Sequence, residues 1–259
     1  MLPRIGPTGL APMRAYAAAV APPDARPRIA ILLADFAMRE ADSEEAARVL
    51  PAAISFVVSP YALRPLPLVE KARQAGHELL VSIPMEPRGY PLNDPGDQAL
   101  LTGSPVGANT AALAWSLSRF GGYVGATGAL GGLRGERFAA TEQMAMVLEE
   151  LGRRGLFYID PRPDGTLPPG GAVRAPTRAV DLVIDDPAVR TEIEARLARL
   201  EQLARDRGSA LGLASAPTPV TVERLSAWAS LLAARGIHLV PVSALLLYPP
   251  ASPGAARRP

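Results

Sequence analysis

The sequence contains no cysteine, a single lysine (Lys71) and only two histidines, His77 and His238. The first absence excludes disulfides, zinc–thiolate sites and thiol nucleophiles, and it fits any redox compartment. Net charge is +2, with arginines and acids interleaved, so no basic run is long enough to serve as a nucleic-acid footprint. No apolar run reaches the roughly 18 residues that a membrane-crossing helix needs. Aromatic residues make up 5% of the chain, which is thin for extended sugar stacking. Tyr61, Tyr90, Tyr123 and Tyr158 are the candidates for one platform, and Tyr158, on a strand, reads as core. The glycine-rich stretch 125–135 is not followed by Gly-Lys-Ser/Thr, so it is not a phosphate loop; the two readings left are a loop that approaches a ligand closely and a shell without chemistry of its own, the second favoured. No Gly-x-Ser-x-Gly elbow occurs, and Ser82, Ser104 and Ser215 lack a histidine base.

What the chain does have is a regular beat. Of its 259 residues 48% are hydrophobic and 20% charged, enough to bury one large α/β core. Its 28 prolines and 23 glycines fall mostly between apolar runs and punctuate them. The run Ile29-Ala30-Ile31-Leu32-Leu33 is continuous where a half-buried strand would alternate, as expected of a parallel strand buried on both faces. Strands are predicted at 29–33, 54–58, 78–83, 123–126, 156–159, 181–184, 209–213 and 237–240. Helices are predicted at 43–50, 66–74, 108–119, 141–153, 187–207 and 220–235. Asp42 or Ser43 is the expected N-cap of the first helix, and Pro187 suits the first turn of the fifth. About eight strands alternating with helices fit a closed or nearly closed (β/α) barrel, with an open doubly wound sheet as the alternative. The expected organisation is an N-terminal extension or linker over 1–27, the barrel over 28–247 and a disordered tail over 248–259. Within the extension, the short run 17–21 is followed by Pro22-Pro23 and preceded by Arg14, and it does not make a convincing secretory signal.

Several segments then carry a resemblance. Arg28-Ile29-Ala30-Ile31-Leu32-Leu33-Ala34-Asp35, Ser59-Pro60-Tyr61-Ala62, Ala75-Gly76-His77-Glu78-Leu79-Leu80 and Pro84-Met85-Glu86-Pro87 occur in that order. Gly122-Tyr123-Val124-Gly125, Gly155-Leu156-Phe157-Tyr158-Ile159-Asp160 and Val240-Pro241-Val242-Ser243-Ala244-Leu245 follow. Together they make the chain, over residues 28–247, resemble the divergent polysaccharide deacetylases, a branch of the NodB-like carbohydrate esterases. The resemblance implies an α/β fold with a distorted (β/α) barrel of the NodB type. It also implies metal-assisted hydrolysis of acetyl groups on a glycan, in which a divalent cation activates water and an acid and a histidine handle the protons.

The chain departs from that pattern wherever the family carries histidine. The first strand ends Ala34-Asp35 where the family has two aspartates, and Ser82 stands where its third strand carries a histidine. Thr127-Gly128-Ala129-Leu130-Gly131-Gly132 replaces an Asn-Asn-His-Met-Gly-Ser segment, and Ala214-Ser215-Ala216 replaces Gly-His-Pro. His77 and His238 precede or open strands, at the end of a barrel opposite its reactive face, and read as structural.

The acids that remain fall just after strands. Asp35 and Asp160 are the candidate catalytic residues. Glu86, Tyr90, Arg162 and Asp185 are candidates for substrate binding, and Asp35 is a metal ligand only if a cation is bound. The bland alternative is that these acids cap helices or pair with arginines, Asp186 ahead of Pro187 and Asp160 with Arg162. No cofactor is expected; zinc is disfavoured without imidazoles, and a carboxylate set would suit Mg²⁺ or Ca²⁺. The expected partner is a glycan or an envelope protein, with no nucleic acid. The resemblance implies a periplasmic or cell-envelope location.

Overall fold

The computed structural model describes residues 2–20, 24–163, 165–168 and 173–248. A short helix α1 (Pro12–Ala15) precedes β1 (Arg28–Phe36), α2 (Glu40–Val49), β2 (Ser55–Val58), α3 (Pro65–Gln74), β3 (Leu79–Ser82) and α4 (Val106–Ser118). Then come β4 (Gly125–Thr127), α5 (Glu136–Ala139), α6 (Met144–Arg153), β5 (Phe157–Asp160), β6 (Thr177–Ala179) and β7 (Leu182–Val183). The chain continues with α7 (Arg190–Arg207), β8 (Ser209–Ala214), α8 (Pro219–Leu232), β9 (His238–Leu239) and α9 (Val242–Leu247).

All strand pairs run parallel in the order β6-β5-β4-β3-β2-β1-β8-β7, curled into a half-barrel with α2–α8 packed outside and α9 against the inner core. β1 lies central. It pairs β8 along Arg28–Leu33, while its other edge is shared between β9, opposite Arg28 and Ile29, and β2, opposite Leu32 to Phe36. The continuous apolar run of β1 is explained by burial on two sides. Ile29, Ile31 and Leu33 pack outward with the helices; Ala30, Leu32 and Ala34 face an inner core with Val57, Leu80, Phe157, Leu211 and Leu213. Between β6 and β7 the sheet is spanned by one stretch of chain. Val180 N–H donates to Asp160 O (2.9 Å), and Asp181 N–H, next along, donates to Leu211 O (2.9 Å).

Several boundaries differ from the sequence reading. Ser43 does not cap α2, which begins at Glu40 with Arg39 as N-cap; its hydroxyl accepts the Ala37 N–H at 2.9 Å. Asp186-Pro187 does not start α7, whose N-cap is Val189. The expected sixth strand, 181–184, is two short strands, because Thr177–Ala179 pairs with β5 before the chain crosses to β8. The closing helix α9 and α1 had no periodic signal, since each is under two turns. α3 ends as expected, with Gly76 at φ +91° and His77 N–H returning to Ala72 O.

The extension runs back along the barrel floor, the end where strands begin. Arg154 Nη1 donates to Pro3 O (2.9 Å), Met13 N–H donates to Gly155 O (3.1 Å), and Ala18 N–H donates to Glu78 Oε1 (2.9 Å). Beyond Tyr248 the expected tail lies outside the described residues.

Candidate functional site

Parallel strands deliver their C-terminal ends to one face, so Asp35, Ser82, Glu86, the loop after β4, Asp160, Asp185 and Ser215 all arrive there. Asp35 sits where the β1–β2 register breaks, at φ +53°, and Ala37 follows at φ +71°. Left-handed backbone at a residue with a Cβ costs about 1 kcal/mol or more, and two such positions within one turn mark a shaped feature. The Ser43 hydroxyl supports this turn through Ala37 N–H. Asp35 Oδ1 accepts the Gly131 N–H at 2.8 Å, and Gly131, at φ +54°, lies so close that a Cβ there would meet Asp35 Oδ2 at 2.9 Å. Burial pushes the Asp35 carboxyl up to about 6 against the pull of that single N–H. Its side chain lines a cleft of about 200 Å³ with Met38, Arg39, Asp42, Ala216, Pro217 and Thr218.

The other strand-end acids are engaged by the protein itself. Asp160 is fully buried, and Arg162 wraps it: Nε to Oδ1 at 2.8 Å, Nη2 to Oδ2 at 2.7 Å and the Arg162 N–H to Oδ1 at 3.1 Å. The same guanidinium donates to Thr166 O at 3.1 Å. Both oxygens of buried Asp185 accept the Ser215 N–H, at 2.8 and 2.9 Å, and burial raises its carboxyl against those bonds. Asp186 pairs with Arg134 at 2.9 Å. The pairing of Asp160 with Arg162 is therefore as read from the sequence, whereas Asp186 serves an arginine on the β4 loop and not a helix start.

Glu86, 3% exposed, fastens two loops. Its Oε2 accepts the Thr102 N–H (2.6 Å) and hydroxyl (2.7 Å), Oε1 meets Arg137 Nη1 (3.0 Å), and its carbonyl accepts the first N–H groups of α5 from Arg137 and Phe138. Tyr90 is half-buried on the long 84–105 loop. Ser82, which the resemblance sets at a histidine position, donates to Ala129 O at 2.5 Å and braces the glycine-rich loop. Most of that loop packs on protein: a Cβ on Gly128 would lie 2.9 Å from Tyr158 Oη and one on Gly135 2.5 Å from Met85 Cβ, whereas Gly132 faces open space. Partners such as Gly131, Thr102 and Arg137 were invisible in sequence because they come from distant loops and from α5, with no fixed spacing to the acids.

The histidines lie at the other end. Buried His77 donates from Nδ1 to Ile54 O (2.8 Å), stacks on Phe56 and is held below the usual imidazole range by burial. Its Nε2 is 3.4 Å from Ala47 O, a helix carbonyl left without a donor because Pro51 has no N–H. His238 stands 3.8 Å from Asp24.

Residues 31–246 match the divergent polysaccharide deacetylase family over most of the chain. The chain belongs to that family. An uncharacterized protein of Agrobacterium tumefaciens C58 is 30% identical, covers 95% of this chain and 99% of its own, and superposes with a TM-score of 0.85. A family 4 carbohydrate esterase from Streptomyces lividans, solved in complex with acetate, shares 13% identity over 83% of this chain and 92% of its own, with a TM-score of 0.50, a likeness of fold. No curated protein matches. The donor set of this deacetylase-family member does not fit a divalent cation: Asp160 and Asp185 turn to Arg162 and Ser215, and among the described residues no three His, Cys, Asp or Glu side chains converge.

Proposed function

We propose that this divergent polysaccharide deacetylase is a non-catalytic member that binds a glycan in the cell envelope at its strand-end face. The observation that carries this reading is Asp35. Among the described residues, Asp35 is a strand-end acid that lines a cleft and accepts one backbone N–H, while Asp160, Asp185 and Glu86 are engaged by Arg162, Ser215 and Thr102. The cleft sets the Asp35 carboxyl beside the Arg39–Asp42 ion pair and the Thr218 hydroxyl, which caps α8 through Thr221 N–H. The remaining hydrogen-bonding capacity of these groups suits sugar hydroxyls, and about 200 Å³ holds part of one sugar ring. A carboxyl with its pKa raised to about 6 donates when protonated and accepts when ionised. Acetyl hydrolysis requires an activated water and a proton donor for the leaving group, and neither a cation-ready donor set nor an imidazole stands beside Asp35 to supply them. The periplasmic or envelope setting follows from the family and from the glycan reading.

The test measures acetate released from acetylated chito-oligosaccharides with zinc, magnesium or no added metal, together with thermal shift by the same sugars. No release above buffer is expected, with a sugar-dependent rise in Tm that Asp35→Ala removes. Acetate release abolished by Asp35→Ala would replace this reading with an active deacetylase.

A further inference from the structure

The floor of the barrel holds a larger hollow than the strand-end face. It measures about 700 Å³ and lies between the N-terminal strap, residues 15–20, and the starts of the strands, with Arg73, His77 and His238 in its wall. The strap is fixed on both sides of Tyr16, by Met13 N–H on Gly155 O and by Ala18 N–H on the buried carboxyl of Glu78. Alanines dominate its inner side, and their small side chains leave the space open. A second groove of about 730 Å³, lined by Leu66, Val69, Glu70 and Gln74, continues past the same Tyr16, Arg73 and Gly122.

Arg73 is the group that gives the hollow a chemistry. Its guanidinium lies over the Tyr16 ring, Cζ 5.3 Å from the centroid. It also rests on Gly122, where a Cβ would come within 2.3 Å of Nη1, so glycine at φ +78° is what admits it. Among the described residues no carboxylate pairs with Arg73, not even Glu70 one turn back on α3, whereas the exposed Arg39, Arg48, Arg153 and Arg207 each have one. The lining of the floor hollow contains no acid.

A positioned, unpaired guanidinium at the mouth of an apolar hollow recognises an anion with an apolar body. A single fixed charge matches a carboxylate better than a dianionic phosphate. We propose that the floor cavity is a binding site for a small carboxylic acid with an apolar or aromatic body, its carboxylate on Arg73 and its body against Tyr16, the strap alanines and Leu239. This site is at the end of the barrel opposite Asp35 and stands or falls separately from the glycan reading.

Calorimetric titration of the full chain with 4-phenylbutyrate tests it, using 4-phenylbutan-1-ol as the neutral counterpart and Arg73→Gln as the variant. Arg73 is exposed, so the variant should unfold at the temperature of the wild type. Expected are saturable binding of the acid with Kd under about 1 mM, and binding weaker by roughly fivefold or more for the alcohol and for the variant. No saturable binding of the acid, or equal binding of acid and alcohol, or binding unaffected by Arg73→Gln, would each overturn the proposal.

Discussion

The two ends of this barrel handle buried carboxylates differently. At the strand-end face, Asp160 and Glu86 meet guanidinium groups, and Asp185 accepts backbone N–H. At the floor, Glu78 is 1% exposed, and its partners are neutral. It accepts from Ala18 N–H, Ser243 N–H (3.1 Å), the Ser243 hydroxyl and, more distantly, Ser55 (3.5 Å). One end joins neighbouring loops with ion pairs at Asp160 and Glu86 beside backbone N–H at Asp185 and Asp35; the other joins the N-terminal strap, β2, β3 and α9 through neutral donors alone. A barrel thus has two ways to keep a buried acid. Strand-end acids are held as loop ties, and the floor acid is held because three remote segments converge on it.

The sharpest break in that comparison comes from removing a cation at the strand-end face. Arg162→Ala leaves the buried Asp160 charge without its guanidinium, with only the backbone N–H of residue 162 remaining, and also frees the Thr166 carbonyl. A broken buried pair costs about 3–5 kcal/mol, so urea denaturation should show a loss of that order. Asp160→Asn in the same background should restore much of it by removing the stranded charge. A loss under about 1 kcal/mol for Arg162→Ala would show that the pair behaves as a surface ion pair.

How much of this is legible in the sequence follows from where the interactions lie. The β1 run and the strand-helix beat are readable because burial on two faces writes itself into consecutive residues, as in Ile29 to Leu33. Asp160 with Arg162 is readable because the pair is two residues apart. Asp35 with Gly131 lies 96 residues apart, and Glu78 with Ser243 lies 165 apart, so no local spacing announces either. Glu78 itself draws no attention, since a charged residue opening a strand resembles any solvated boundary. β6 escapes a sequence reading because three residues, none of them buried, carry no alternation.

A milder break addresses the floor. Glu78→Gln keeps the shape but turns one acceptor oxygen into an amide that faces donors from Ala18, Ser243 and Ser55. Leaving buried donors unmet costs about 1–3 kcal/mol. The loss should be local as well as global: hydrogen exchange should quicken at Ala18 and Ser243 more than across β1. Equal exchange in both proteins would mean that the strap is held by Gly155 and Pro3 alone.

The smallest expected effect has the opposite sign. Asp35 titrates at about 6 in the folded chain against 3.8 for a free aspartate, so the native state holds a proton that the unfolded chain has released. Stability from this group is therefore present in full below about pH 4 and is lost as pH rises through 6. At pH 7 the wild type carries the whole penalty of an ionised, poorly solvated carboxylate. The gap between the folded and free values corresponds to about 3 kcal/mol at most, and partial exposure of the side chain reduces the realised effect to about 1–2 kcal/mol. Asp35→Asn removes the charge, retains a side chain that tolerates left-handed backbone and keeps an oxygen for the Gly131 N–H. The variant should be more stable than the wild type at pH 7 and no more stable at pH 4. Urea midpoints at both pH values measure this, and a gain of equal size at pH 4 and 7 would assign the effect to backbone preference and not to the carboxyl.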